Sequence, residues 1–251
     1  AAQISPLFET ADTQPANTAS VLPFVHYAGL ALEFWVNKLR FSPTIGIGVS
    51  IEDLPTGELA EIYVTRYSAS GSPAEAKILL DRDANGRGWF IDPTPLDNSE
   101  FVHPNNPEVH GKYDLLTTML HEIGHVLGFT RQFAGFDSQV TVAVDGSPRF
   151  VAPGINARLT ADGDHLVNRA YPNDLMNATL ATGTRKLPSL LDLDILNAAW
   201  ARDLWNWSEA WRPTHLHAPS HAESHGGFVL LADSVEGDLQ AGPPRTIVNG
   251  A

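Results

Sequence analysis

Positions 121 to 125 read H-E-I-G-H. On an α-helix, residues four apart share one face and lie about 6 Å apart along the axis, so His121 and His125 can bind one ion between them. Glu122, beside the first histidine, can reach water on that ion without ligating it, which is the position of a general base. A catalytic zinc takes three protein ligands plus water, so a third donor is required. The chain has no cysteine, which leaves nitrogen and oxygen donors. No glutamate lies between Glu122 and Glu209, and the Arg131 guanidinium has no lone pair to give. His165 is the one histidine between His125 and His215, with Asp162 and Asp164 beside it as alternative donors. Two histidines on a helix are often just polar surface or core groups; here the glycine, the apolar periodicity and a downstream donor agree with a metal site.

The stretch H-E-I-G-H-V-L-G-F resembles the metzincin superfamily of zinc endopeptidases. With Arg131 where many such proteins carry a third histidine, it is most similar to a bacterial leishmanolysin-like branch, in which that histidine comes from far downstream after an insertion. The segment G-D-H-L-V-N-R-A-Y-P-N-D-L-M-N-A-T-L carries the rest of the likeness, with His165 as the third zinc ligand and Met176 in the methionine turn beneath the metal. Ordinary core packing of Met176 is compatible with that role. The likeness runs from Tyr113 to Trp200; its motif residues match closely and the insertion only loosely.

The resemblance implies an α+β catalytic domain of two lobes. A mixed sheet and the active-site helix form the upper lobe, and the lower lobe is irregular and ends in a helix. It implies hydrolysis of peptide bonds by metal-activated water with Glu122 as general base, an extended peptide or protein substrate, and secretion from a bacterium. Some metzincins add a tyrosine after the methionine turn to steady the oxyanion; this chain has none beyond Tyr171. Two rivals follow: a metal-holding binding or adhesion module without turnover, and a zinc hydrolase of small amides or esters.

Other constellations have plainer readings. D-R-D-A-N-G-R-G-W-F-I-D puts Asp81, Asp83, Asn85, Gly86 and Asp92 at spacings of a calcium loop, although the flanks look like strands and an Asn85-Gly86 turn explains the same residues. His215, His217, His221 and His225 form a metal-capable cluster in a Pro/Ser/Gly-rich stretch that reads as a linker. His103 and His110 fit a solvated loop, and Trp200, Trp205, Trp207 and Trp211 fit packing better than a sugar platform.

The elements that position the motif follow from periodicity. Apolar Leu115, Leu116, Met119, Leu120, Ile123 and Leu127 predict a helix from about 112 to 129, ending near Gly128. An earlier helix is expected from about Tyr27 to Leu39. Three strands of a mixed sheet are expected in T-I-G-I-G-V-S-I-E-D-L, A-E-I-Y-V-T-R-Y-S-A and A-E-A-K-I-L-L-D-R-D. Asp145-Gly146 marks a hairpin in a loop-rich insertion, and Ser189 opens a final helix through a capping-box-like S-L-L-D.

At 251 residues and 43% hydrophobic content the chain suits one substantial domain. A lead-in over residues 1–20, a catalytic domain over 21–212 divided near 130, and a polar, His-rich tail over 213–251 are expected. The net charge of −13, without a basic run, argues against nucleic acid as a partner. No apolar run approaches the ~20 residues that span a bilayer.

Overall fold

Runs of strands, separated by helices, surround one buried helix. The computed structural model describes residues 18–69, 71–103, 105–209 and 228–232. Its elements are α1 (Thr18–Val36), β1 (Gly46–Glu52), β2 (Glu58–Tyr67), β3 (Pro73–Asp81), β4 (Trp89–Phe90), β5 (Tyr113–Asp114), α2 (Leu115–Val126), α3 (Ala134–Asp137), β6 (Val140–Val142), β7 (Pro148–Ala152), β8 (Ile155–Arg158), β9 (Thr179–Leu180), α4 (Leu190–Glu209) and β10 (Phe228–Ala232). The fold class is α+β.

The main sheet has the order β1-β3-β2-β10-β9. β1 runs parallel to β3 and β2 antiparallel to it, so the three expected strands form a mixed sheet. β2 alternates Ala60, Ile62 and Val64 toward the core, and β3 does the same with Ala76, Ile78 and Leu80. α2 packs against β2, and α1 packs against α2. Trp35, fully buried, donates its indole N–H to the Leu120 carbonyl at 2.9 Å and so fastens α1 to the helix that carries the motif. A separate antiparallel sheet, β6-β7-β8, includes the Asp145-Gly146 turn. Among the described residues no helix is long and apolar enough to cross a membrane.

Three boundaries differ from the sequence reading. α1 begins at Thr18 and ends at Val36, so residues 18–20 of the expected lead-in are helical; Pro23 falls in the second turn, where it removes one hydrogen bond without ending the helix. α2 is shorter at both ends, because Asp114 caps its start and Gly128 turns its end. Within the stretch expected to be a polar tail, Phe228–Ala232 forms β10 and joins the main sheet. The histidines of that stretch lie outside the described residues.

Candidate metal centre

Asp114 starts α2 in an extended conformation, and its carboxylate accepts the Thr117 N–H and hydroxyl at 3.1 and 2.7 Å. All twelve residues of the helix are buried. Its end is a Schellman motif: Gly128, at φ 102°, donates to the His125 carbonyl, and the Phe129 N–H donates to the Gly124 carbonyl. That turn has a second effect. It swings the Phe129 carbonyl back to accept Nδ1–H of His125 at 2.7 Å.

His121 is oriented from the other side, where Nδ1 lies 2.9 Å from the Leu175 carbonyl. A carbonyl only accepts, so both Nδ1 atoms carry the proton, and in the neutral imidazoles both Nε2 atoms carry a lone pair. His165 turns Nδ1 toward the Asp162 carboxylate at 3.4 Å. Its Nε2 then lies 3.1 Å from that of His125, which lies 3.1 Å from that of His121. Three lone pairs facing one another repel unless a cation sits among them. Nitrogens ~2.05 Å from a tetrahedral zinc would stand roughly 3.3 Å apart, so the donor set fits such an ion.

Burial enforces the neutral state. Desolvation, with repulsion from His165, pushes the His121 imidazole down to about 3, and desolvation also drives His125 well below its ordinary value. Among the described residues, His121, His125 and His165 form the one group of three or more ligating side chains whose donor atoms converge. Glu122 is fully buried, and neither carboxylate oxygen has a hydrogen-bond partner among the described residues. Desolvation, reinforced by the Glu61 carboxylate of β2, raises its proton affinity far above that of an ordinary glutamate. A buried carboxylate with no partner is costly, and a cationic centre beside it would compensate.

The loop that brings in His165 is held by Arg131. Its backbone N–H donates to Asp164 Oδ1 at 2.6 Å, its Nε bonds Asp137 at 2.8 Å, and its side chain lies over Gly163, where φ is 81° and any Cβ would collide with it. Arg131 is therefore a brace and not a donor. Asp162 and Asp164, the alternative donors, are engaged in orienting this loop. Met176 is fully buried against Gly124, and its carbonyl accepts the Leu166 N–H at 2.8 Å, joining the Met176 segment to the His165 loop.

The aspartates of residues 81–92 serve the protein itself. Asp81 accepts the Asn85 N–H at 2.6 Å and the Leu54 N–H at 3.1 Å, Asp83 accepts the Gly86 N–H at 2.6 Å, and Asn85 accepts the Gly57 N–H at 3.2 Å. Ala84, Asn85 and Gly86 turn the chain with positive φ, but β3 and β4 do not pair, so the turn is not a hairpin. Asp92 faces away to Arg185, whose Nη1 is 2.7 Å from Oδ2, an ion pair poorly angled for a hydrogen bond. The structure does not gather these oxygens into a calcium cage. His103 and His110 are exposed on their loop, and Trp200 packs, donating to the Leu127 carbonyl and stacking on Phe41.

Several contributors escaped the sequence reading. The Leu175 and Phe129 carbonyls orient ligands through backbone atoms, which carry no residue signature, although a glycine just past a helix hints at the second. Arg185 grips Asp114, the cap of α2, through two hydrogen bonds of 2.9 and 2.8 Å while pairing with Asp92. Compared with models of known protein families and with curated proteins, the chain matches none.

Proposed function

We propose that the chain is a zinc-dependent endopeptidase of the metzincin kind, nearest to the leishmanolysin-like branch. The observation that carries this reading is the convergence of three imidazole lone pairs beside Glu122, a buried carboxylate with no hydrogen-bond partner among the described residues. His121, His125 and His165 would hold the metal through Nε2. Zinc there supplies Lewis acidity, lowering the pKa of water and polarising a carbonyl oxygen. Glu122 is the general base: its carboxylate takes a proton from the attacking water and passes it to the leaving amine nitrogen, a role worth ~10²–10⁴-fold in rate.

The same reading carries the two-lobed arrangement, with the sheet and α2 above and the segment beyond residue 131 below. Substrates are peptides bound extended along a sheet edge, where main-chain hydrogen bonds give affinity and pockets give selectivity. Secretion from a bacterium belongs to the same proposal.

The test is prolonged incubation of the zinc-loaded chain with a mixed peptide library, read by mass spectrometry, with Glu122→Gln alongside. Cleavage lost in that variant and on chelation supports the endopeptidase. Folded, zinc-bound protein that cuts nothing, even when its sheet edge is opened, points instead to a metal-holding module without turnover.

A further inference from the structure

β10 reaches the main sheet from the far end of the chain. It pairs antiparallel with β2, setting Phe228 opposite Ile62, Val229 opposite Glu61 and Leu230 opposite Ala60, with a register shift before Leu231 meets Glu58. On its other side it pairs in parallel with β9, Leu231 opposite Thr179 and Ala232 opposite Leu180. β9 follows Met176 by a few residues and is itself fastened, since the Lys186 ammonium donates to the Thr179 carbonyl at 3.1 Å and to Asn177 at 2.7 Å. β10 therefore fills a slot between a strand of the core sheet and the segment leaving the methionine turn.

The slot lies beside the helix that carries the paired histidines. β10 runs beside α2, which carries His121, Glu122 and His125, and sets Val229 opposite Glu61 of β2. His121, Glu122 and His125 have 0% exposure and His165 has 4%. A hydrolytic centre so enclosed admits no polypeptide until something leaves. Without β10, β2 would be the sheet's edge strand, with a row of main-chain donors and acceptors open to an incoming strand.

We propose that Phe228–Ala232 occupies the peptide-binding slot of its own chain, holding the enzyme latent, and that substrate enters by replacing it as the strand between β2 and β9. This rests on the endopeptidase reading. It also specifies the ligand chemistry: an extended, uncharged, apolar strand, as in F-V-L-L-A.

Proline at position 230 removes one backbone donor and disfavours strand pairing. The full-length wild type and Leu230→Pro are compared in two measurements, amide hydrogen exchange and the initial rate of cleavage of a pooled decapeptide mixture, both zinc-loaded. In the wild type, residues 228–232 should exchange at least tenfold more slowly than free chain. In the variant that protection should vanish while α2 stays protected, showing that the fold persists, and cleavage should rise at least tenfold. Free-chain exchange at 228–232 in the wild type, or equal and measurable cleavage by the two chains, would overturn the latch and leave the endopeptidase standing. Cleavage by neither chain, with the exchange difference present, would sink the endopeptidase and retain the strand pairing.

Discussion

Met176 lies against Gly124 so closely that a methyl group on the glycine would sit 2.9 Å from the Met176 Cε and 3.3 Å from the Trp35 ring. The glycine between the two histidines of α2 is thus fixed by what passes beneath the helix. Gly124→Ala should destabilise the protein by about 1–3 kcal/mol through overpacking, despite the better helix propensity of alanine. Combining it with Met176→Ala should cost less than the two single changes added together. Urea denaturation of the four proteins checks this, and strict additivity would show that the two residues do not compete for space.

His165 and Arg131 separate donor from brace. His165→Ala should remove zinc from the isolated protein in competition with a chelator. Arg131→Ala retains the backbone N–H that Asp164 accepts and should keep its zinc. Asp162→Asn, which weakens the partner of His165 Nδ1, should fall between, losing roughly 10–100-fold in affinity. Equal zinc retention in His165→Ala and Arg131→Ala, measured by elemental analysis, would refute the ligand assignment.

Asp192 makes a pH prediction away from the metal. It closes the capping box of α4, accepting the Ser189 N–H at 2.8 Å while its own N–H donates to the Ser189 hydroxyl at 3.1 Å, and it also accepts the Leu175 N–H at 3.3 Å. Its Oδ1 has no partner among the described residues. Burial, with the nearby Asp174 charge adding to it, pushes its carboxyl up to about 6. The folded chain therefore keeps a proton that the unfolded chain releases near pH 4. Between about pH 4 and 6 this group's contribution to stability is lost as pH rises, up to ~3 kcal/mol in all. Asp192→Asn should match the wild type at pH 4 and exceed it at pH 8; chemical denaturation at the two values decides, and an unchanged difference would remove Asp192 as the cause.

Arg185 is nearly inaccessible, as are the two carboxylates it bridges. Replacing a buried partner leaves charge uncompensated, so Arg185→Met should cost about 3–5 kcal/mol. Because Asp114 caps α2, the loss should appear first as faster amide exchange in the helix's opening turn. Uniform loss of protection across the chain would instead mark a global effect.

What could be read from residue order was whatever one segment's pattern expresses. The apolar spacing of α2, the alternation in β2 and β3 and the S-L-L-D start of α4 each state their structure locally. The start of α1 did not, since Pro23 looks like a boundary when it is only a missing hydrogen bond in the second turn. Nor did β10, five apolar residues in polar surroundings whose strand character comes from β2, more than a hundred and fifty positions earlier. The three converging histidines were legible because the side chains themselves form the cluster. Their orientation was not, because the Leu175 and Phe129 carbonyls that set it could belong to any residue.

The pairing of β10 with β2 also sets an order of events during synthesis. α2, His165 and Met176 have all been translated by residue 180, but the strand that closes the sheet edge follows some fifty residues later. For that interval a nascent chain holds all three converging histidines while β2 remains an open template for any extended neighbour. The hazard of that interval, misassociation with other chains, ends when the chain's own residues 228–232 arrive.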